Sequence, residues 1–554
     1  MSDILFGQAY FLRFDSKLWQ AMQPYPPLGT LYAASYLRAR GHSVSLFDAM
    51  LADSEQDWEH VLSKEQPRFA VLFEDNFNYL SKMCLLRMRQ AAFKMISMAR
   101  AQGTIIIVGG ADASDHPELY LDQGADYVLI GEGEVTLAEL IEALTGRNSQ
   151  PVDSILGLAY IPERLAEKQA VDLASSATSL TPRVHTSRRP DIKVPDALPF
   201  PAWDLVDVAR YERIWRQQHG YFSMNIVTTR GCPFHCNWCA KPIWGQRYNL
   251  RSPENVVAEM KWLKATYQPD HLWFMDDILG LKPGWLPRFA ELIDEHKAHI
   301  PFKCLSRVDL LLRPGEIESL RQAGCQSVWV GAESGSQKIL DAMEKGTCVE
   351  HILEASRRLK SASIQVGFFL QFGYPGETRA DIQKTIQLLR DGNPDDIGIS
   401  VSYPLPGTPF YERVKQQLGD KQNWDESNDL AMLYQGPFST VFYRQLYRVI
   451  HKEFRARKFW QGLGERLSTR TSTPAPGSLG SNQGPRPTPL AHPGQRRPWM
   501  PELKSLFSAA YYTLSLPFDR VRLELLARTS HQGSEQLPQG LSPEAAAQPT
   551  PHID

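Results

Sequence analysis

Short apolar runs alternate with longer amphipathic runs over the first 145 residues. Strands are predicted at 4–7, 44–47, 69–73, 104–108 and 127–130, with helical patterns such as 31–40 between them. The run 104–108 is nearly all β-branched, which suits a parallel strand buried on both faces. This alternation predicts a doubly wound α/β domain over residues 1–145.

A second alternation of strands and helices repeats about six times farther along the chain. Strands are predicted at 222–229, 270–275, 302–308, 326–332, 364–372 and 397–403, and helices at 252–265, 284–296, 315–322, 336–342, 349–361 and 378–391. Ser252, followed by Pro253 and Glu254, has the pattern of a helix start. Six such units are fewer than a closed (βα) barrel contains, so we expect a partial, open barrel over residues 216–404.

The remaining segments differ in composition. Residues 146–215 read as a connector and residues 405–460 as mainly helical. Pro, Gly, Ser and Thr dominate 465–500, which predicts a disordered linker. A helical segment is predicted at 501–528, followed by a disordered tail at 529–554.

Composition excludes several classes of protein. The 554 residues are 43% apolar and 22% charged, with a formal net charge of −2. Such a balance gives no long-range attraction to nucleic acid or to anionic lipid. No apolar run approaches the roughly 20 residues that a membrane span needs. We therefore expect a cytoplasmic protein with no nucleic-acid partner and no membrane span.

Glycine-rich loops follow or precede the strands of the first domain. Ligands of open α/β sheets bind at the carboxyl ends of the strands, where glycine lets the backbone approach closely. Tight turns alone would also explain these glycines, so both interpretations stay open. The loops contain Pro27, Leu28, Gly29, Gly109, Gly110, Gly131, Glu132, Gly133 and Glu134.

Three of the seven cysteines lie within eight residues. Cys232, Cys236 and Cys239 form a C-x3-C-x2-C pattern directly after the first barrel strand. Three thiolates on one loop can bind a soft metal. A structural zinc site usually has four ligands, and so does a [4Fe–4S] cluster, of which three cysteines would leave one iron open. Zinc and buried free thiols remain the alternatives.

This cysteine pattern at the end of the first strand of a (βα)6 unit resembles the radical S-adenosylmethionine (SAM) superfamily. The resemblance implies that Cys232, Cys236 and Cys239 bind a [4Fe–4S] cluster whose fourth iron chelates S-adenosylmethionine. It also implies reductive cleavage of S-adenosylmethionine to a 5′-deoxyadenosyl radical, with Trp238 near the adenine.

Further positions match the patterns of this superfamily in order. An acidic pair after the second barrel strand corresponds to the contact with the methionine amino group, although a helix-capping role would also explain it. Later motifs correspond to contacts with the ribose and the adenine. The resemblance thus implies that S-adenosylmethionine is also bound by Asp276, Asp277, Glu333, Ser334, Phe372 and Gly373.

The domain before the cysteines resembles the cobalamin-binding domain of B12-dependent radical SAM enzymes. The implied fold is a Rossmann-like, doubly wound cobalamin-binding domain, then a partial (βα)6 TIM-like radical SAM barrel and a helical C-terminal extension. Cobalamin would contact the glycine-rich loops named above. The D-x-H-x-x-G signature is missing near the first strand, so the resemblance implies cobalamin without a lower histidine ligand.

The function implied is a cobalamin-dependent radical SAM methyltransferase acting on a small molecule, with an electron donor such as flavodoxin or ferredoxin. A non-methylating oxidoreductase or cyclase of the same branch, and a radical SAM enzyme that has lost cobalamin, are alternatives. A non-catalytic iron–sulfur or zinc protein is a third. The sequence assigns no catalytic residue beyond the cofactor contacts.

Overall fold

The structure is a computed structural model that describes residues 2–83, 85–162, 183–239, 243–471 and 500–530. The chain divides into two compact units, Met1–Gln435 and Gly436–Asp554. Cys84 and most of the predicted linker and tail lie outside the described residues. The described residues of the first unit form two large β-sheets and one two-stranded sheet, and those of the second form two long helices.

The first sheet has seven strands in the order β2-β1-β3-β4-β5-β6-β7. Its strands are β1 Ile4–Gly7, β2 Val44–Leu46, β3 Phe69–Phe73, β4 Ile105–Gly109, β5 Tyr127–Leu129, β6 Leu158–Tyr160 and β7 Val184–His185. The first five pair in parallel, and β6 and β7 add an antiparallel edge. The antiparallel edge extends the five-strand sheet predicted from the sequence.

Both faces of this sheet are buried, as the apolar strands predicted. Along β3, Phe69, Val71 and Phe73 belong to one hydrophobic core, and Ala70 and Leu72 belong to another on the opposite face. Each face is covered by helices, which makes the sheet doubly wound. The helices are α1 Ser16–Ala21, α2 Leu28–Ala39, α3 Glu55–Glu65, α4 Tyr79–Met83, α5 Leu86–Ala101, α6 Ala111–Asp115, α7 Pro117–Asp122 and α8 Glu134–Leu144.

The second sheet has six parallel strands in the order β15-β14-β13-β12-β11-β8 and forms a curled half-barrel. Its strands are β8 Ser223–Ile226, β11 His271–Phe274, β12 Phe302–Ser306, β13 Cys325–Glu333, β14 Gln365–Phe372 and β15 Asp396–Val401. A short antiparallel pair, β9 Thr229–Arg230 and β10 Asn249–Leu250, flanks the cysteine loop. The open, six-stranded barrel predicted from the sequence is confirmed.

Helices cover the outer face of the half-barrel. They are α9 Val208–His219, α10 Pro253–Thr266, α11 Trp285–Glu295, α12 Val308–Leu311, α13 Glu316–Gln322, α14 Gln337–Ala342, α15 Val349–Ser361, α16 Arg379–Gly392 and α17 Pro409–Val414. The predicted start of α10 is present, because Ser252 Oγ accepts a hydrogen bond from the Asn255 amide at 3.1 Å. Burial alternates along β12, with Phe302, Cys304 and Ser306 buried and the residues between them half-buried.

The second unit consists of α18, Thr440–Thr471, and α19, Met500–Ser530. An ion pair between Lys452 and Asp519 at 2.6 Å joins the two helices. Helix α18 extends through residues 465–471, which belong to the segment predicted as a linker.

Candidate functional site

The cysteine loop begins at the carboxyl end of β8 and is fixed there by a buried carboxylate. Asp276, at the end of β11, accepts four hydrogen bonds of 2.7–3.1 Å from the amides and hydroxyls of Thr228 and Thr229. Burial raises the pKa of Asp276 to about 6, and these four hydrogen bonds oppose the rise. Asp276 therefore sets the position from which the loop departs.

Cys232, Cys236 and Cys239 are half-buried, and none of them forms a disulfide with another described cysteine. Cys232 lies against a small apolar cluster that contains Ile278 and Leu310. Two other cysteines differ, because Cys304 and Cys325 are buried on β12 and β13 with their sulfur atoms 4.0 Å apart. The three loop thiols are thus more exposed than those of Cys304 and Cys325.

Two cations lie beside the loop. Arg307, at the end of β12, places Nη1 3.9 Å from Cys236 Sγ and stacks 3.6 Å above the Phe234 ring. Its Nη2 donates to the Lys345 carbonyl at 2.9 Å. Nearby cations stabilise thiolates, which are the form that binds metal. The loop therefore has the charge environment that an anionic iron–sulfur cluster needs.

Lys345 is the second of these cations and connects the loop to β13. Its ammonium donates to Glu333 Oε1 at 2.8 Å. Burial lowers the pKa of Lys345, but the Glu333 carboxylate and the Cys236 thiolate outweigh burial, so the pKa lies above its usual value. Glu333 itself has a left-handed backbone (φ 55°), a strained conformation that is common at functional sites.

The residues predicted to bind S-adenosylmethionine lie on neighbouring strand ends, and several already have partners. Asp277 is exposed, whereas Asp276 is committed to the threonines. Ser334 is buried against Thr385, with the two hydroxyl oxygens 3.1 Å apart.

The predicted adenine contacts are partly occupied by the protein. The Gly373 amide donates to Glu377 at 2.7 Å, and its carbonyl accepts from the Tyr434 hydroxyl. The Phe372 carbonyl accepts from the Ser402 amide at 2.7 Å. Trp238 buries an indole N–H that has no acceptor among the described residues. Trp238 is therefore the residue of this group best able to serve a ligand.

The helix start at Leu28 differs from the prediction. Leu28 and Gly29 were expected in a loop before the first helix, but they form its first turn. Their amides donate to the Asp75 carboxylate at 3.2 and 2.9 Å. Asp75, in the loop after β3, thus caps the helix that Pro27 precedes. A cap supplied by a distant residue leaves no local signal in the sequence.

Gly109 and Gly110 bring the loop after β4 against the loop after β3. Gly110 has φ 151°, and a Cβ there would lie 2.7 Å from Glu74 Cβ, so only glycine fits. Glu74 accepts from the Ala9 amide at 2.8 Å. Burial raises the pKa of Glu74 to about 8; the Ala9 hydrogen bond opposes the rise, and Asp112 and Asp75 add to it.

Unpartnered polar atoms collect at this edge of the first sheet. The buried atoms are Tyr10 Oη, Glu74 Oε2, Asn76 Oδ1 and Ser81 Oγ, and none has a hydrogen-bond partner among the described residues. Leaving a buried polar group unpaired costs about 1–3 kcal/mol. The edge therefore fits a large polar ligand such as a corrin with its amide side chains.

The loop after β5 reaches the cysteine loop. Glu132 and Glu134 pair with Arg230 at 3.0 and 2.8 Å, and all three side chains are almost fully buried. Burial lowers the pKa of Arg230, but the two glutamates outweigh it and raise the pKa overall. Both glutamates were predicted to contact cobalamin. Their carboxylates pair with Arg230; Glu132 lies between Gly131 and Gly133, and Glu134 follows Gly133.

Sequence reasoning missed the roles of Arg230 and Lys345. Arg230 lies two residues before Cys232, inside the motif that was quoted, but nothing local marked its partners. Lys345 lies in a loop between two helices and carries no motif. For Arg230, the available signal was a charged residue next to a metal-binding motif. For Lys345, the sequence contained no such signal.

Two family profiles match this arrangement. The profile of the Radical SAM superfamily covers residues 226–389, and that of the B12 binding domain covers residues 20–141. The first range contains the cysteine loop, and the second contains the glycine-rich loops. The chain is therefore a B12-binding-domain-containing radical SAM enzyme. Enzymes with these two domains use a [4Fe–4S] cluster, S-adenosylmethionine and cobalamin, the cofactors predicted from the resemblance.

Its relatives include methyltransferases and cyclases. An uncharacterised methyltransferase of Pyrococcus horikoshii is 26% identical over 407 residues, which are 72% of this chain and 81% of that protein. An anaerobic magnesium-protoporphyrin IX monomethyl ester cyclase of Synechocystis sp. is 24% identical over 457 residues, 79% of this chain and 83% of the relative.

Solved structures share the fold. The radical S-adenosylmethionine methyltransferase TsrM from Kitasatospora setae, with cobalamin and a [4Fe–4S] cluster bound, has a TM-score of 0.59 at 19% identity, over 75% of each chain. The cobalamin-dependent S-adenosylmethionine radical enzyme OxsB has a TM-score of 0.55 at 18% identity, over 70% of this chain and 52% of its own. No helix in the described part of the chain has the length and apolar character to cross a membrane.

Proposed function

We propose that this enzyme is a cobalamin-dependent radical SAM methyltransferase that acts on a small molecule. The observation that carries the proposal is the two buried ion pairs that Arg230 forms with Glu132 and Glu134. It joins the cysteine loop to a strand-end loop of the B12-binding sheet. Two cofactor sites held together in this way serve one reaction.

The three loop cysteines would hold the cluster, and the polar edge formed by Tyr10, Glu74, Asn76 and Ser81 would hold cobalamin. When bound, the cluster supplies the electron that cleaves S-adenosylmethionine, and cobalamin carries the methyl group. The chain's own part is to bind, orient and shield these groups. Arg307 and Lys345 stabilise the negative charge of the thiolates, and Asp276 fixes the loop.

Trp238, Asp277, Glu333 and Ser334 are the proposed contacts of S-adenosylmethionine. Their support is their place on the loop itself or at the carboxyl ends of β11 and β13, the edge at which ligands of parallel sheets bind. We further propose a flavodoxin or ferredoxin as the electron donor and the cytoplasm as the compartment, since both suit a reduced cluster.

A non-methylating reaction is the second candidate, because relatives named as ester cyclases cover as much of the chain as the methyltransferases do. Analysis of the nucleoside products separates the two. Reduced, reconstituted protein with S-adenosylmethionine and cobalamin is expected to form S-adenosylhomocysteine together with 5′-deoxyadenosine. 5′-Deoxyadenosine alone, in the presence of a competent substrate, would contradict methyl transfer.

Cysteine variants test the cluster assignment separately from the reaction. Cys236→Ala is expected to lose most of the iron and sulfide of reconstituted protein, because a cluster held by two thiolates is labile. Cys348→Ala, a half-buried thiol at the start of α15, is the matched control and should keep the full content. Full cluster content in Cys236→Ala would refute the assignment.

A further inference from the structure

The concave face of the half-barrel carries side chains that the cofactor assignments do not use. Along β12, alternate residues point outward and are buried under helices, while Lys303 and Leu305 are half-buried on the inner face. Trp273 on β11 and Trp329 on β13 are half-buried in the same alternation. The inner face is therefore open and lined by large side chains.

One side of this face carries two neighbouring aromatic rings. The ring centroids of Trp329 and Phe369 are 4.7 Å apart, and the two rings are tilted by 31° to each other. Gly367 lies under the Trp329 ring, and a Cβ on Gly398 would come within 2.8 Å of Phe369. Two glycines on adjacent strands thus make room for the rings to lie along the sheet. Phe369 remains 38% exposed although it belongs to a central strand.

The other side presents a lysine without an ionic partner. The Lys303 ammonium lies 4.5 Å from the centroid of the Trp273 ring and 5.6 Å from that of Tyr25. It makes no hydrogen bond or ion pair with any described residue. Burial lowers the pKa of Lys303 to about 8, and Asp396 opposes this. Burial is the main cause that lowers the pKa of His271, and the Lys303 ammonium lowers it further. His271 and Lys303 therefore share one environment.

Packing alone does not account for this lysine. A cation–π contact contributes about 0.5–2 kcal/mol, whereas a desolvated ammonium without a hydrogen-bonding anion is costly. A methionine or leucine would fill the same space without that cost. A cation kept among aromatic rings is accounted for by an anionic group of a ligand, with which it forms a charge-assisted hydrogen bond.

We propose that the concave face binds the substrate, with a planar conjugated portion on Trp329 and Phe369 and a carboxylate of the substrate on the Lys303 ammonium. This inference rests on the proposed function, since it names the class of molecule that receives the methyl group. It predicts selection of aromatic or conjugated carboxylates over neutral or non-planar analogues.

Binding of simple probes tests the proposal without knowledge of the natural substrate. Equilibrium dialysis of reconstituted protein at about pH 7, where the ammonium is charged, would compare 2-naphthoate, 2-naphthamide and cyclohexanecarboxylate. We expect 2-naphthoate to bind about tenfold more tightly than either analogue. Equal binding of 2-naphthoate and 2-naphthamide to the wild-type protein would overturn the proposal.

Variants then assign the preference to its residues. Lys303→Met should bind 2-naphthoate and 2-naphthamide equally, and Lys303→Arg should keep most of the preference. The exposed Lys261→Met on α10 is the matched control and should behave as wild type. Phe369→Ala should weaken both naphthalene probes and leave cyclohexanecarboxylate unchanged. A Lys303→Met variant with full iron content and an undiminished preference for 2-naphthoate would overturn the assignment.

Failure of this inference can be told apart from failure of the proposed function. Cleavage of S-adenosylmethionine is measured on the same wild-type preparation without any probe. Protein that cleaves S-adenosylmethionine but does not distinguish the probes contradicts only the substrate class. Protein that distinguishes the probes but, with a full cluster, forms no methyl-transfer product contradicts only the methyltransferase.

Discussion

Asp276 illustrates how one buried side chain fixes a cofactor loop. Both of its oxygens accept hydrogen bonds from Thr228 and Thr229, which lie four and three residues before Cys232. An acid at this position was predicted to bind the methionine amino group. Its commitment to the threonines leaves the exposed Asp277 as the better candidate for that contact.

Asp276→Asn should destabilise the protein because the new side-chain NH2 group is a donor. It would face the donors of Thr228 and Thr229, which now give their hydrogen bonds to a carboxylate oxygen. Leaving buried donors unpaired costs about 1–3 kcal/mol each, so we expect a loss of about 2–4 kcal/mol in urea unfolding. Cluster content after reconstitution should fall as well. Asp277→Asn, one residue farther along and exposed, is the control and should change stability by less than about 0.5 kcal/mol.

Glu74 predicts a pH dependence of stability. The pKa of Glu74 is about 8 in the folded chain, against an ordinary value of 4.5. Between these two pH values, the folded chain therefore keeps a proton on Glu74 that the unfolded chain has lost. Stability contributed by this group therefore falls as pH rises from about 4.5 to 8. Above pH 8 the loss is complete.

Glu74→Gln should remove that loss while keeping an acceptor for the Ala9 amide. In cobalamin-free protein, the variant should match wild type near about pH 5 and exceed its free energy of unfolding by about 2–4 kcal/mol at pH 8. Urea unfolding at several pH values measures the difference. Glu59→Gln, on the exposed face of α3, should show no pH-dependent gain, and a similar gain there would contradict the assignment to Glu74.

At the scale of elements, the short strand β9 connects two domains. Its Arg230 pairs with Glu134, which begins α8 of the B12-binding domain, and with Glu132 in the loop before that helix. Arg230 also lies 5.7 and 5.6 Å from the ring centroids of Tyr32 and Phe77. Neither element could bury its charge alone. The pairing with Arg230 explains why Glu132 and Glu134 alternate with Gly131 and Gly133 in this turn.

Arg230→Met should destabilise the first unit by about 3–5 kcal/mol because it leaves two buried carboxylates without a cation. Adding Glu132→Gln and Glu134→Gln to Arg230→Met should recover more than half of this loss in denaturant unfolding. The exposed pair of Arg183 with Asp122 supplies the comparison: Arg183→Met should cost less than about 0.5 kcal/mol. No recovery in the triple variant would show that the pairing itself contributes little.

At the scale of the whole molecule, cobalamin should stabilise the folded chain. The ligand would satisfy the buried polar atoms of Tyr10, Glu74, Asn76 and Ser81, which have no partner among the described residues. Hydroxocobalamin at about 100 times its Kd should add about 2.7 kcal/mol to the free energy of unfolding. Thermal unfolding with and without the corrin measures the effect, and an unchanged midpoint at saturating corrin would argue against the polar edge as its site.

The sequence alone determined the architecture and the cluster loop. Strand periodicity identified both sheets because each strand is short and its burial pattern is local, as along β3 and β12. Cys232, Cys236 and Cys239 were recognisable because ligands on one loop keep a fixed spacing.

Only the tertiary structure decided which charges meet. Arg230 with Glu132 and Glu134, Lys345 with Glu333, and Asp75 with the start of α2 are separated by 12 to 98 positions in the chain. Pairing at such distances depends on how the strands are ordered in the sheets, which no local pattern contains. The same holds for Lys303: its place beside the rings of Trp273 and Tyr25 depends on how a loop of the first domain packs against the half-barrel.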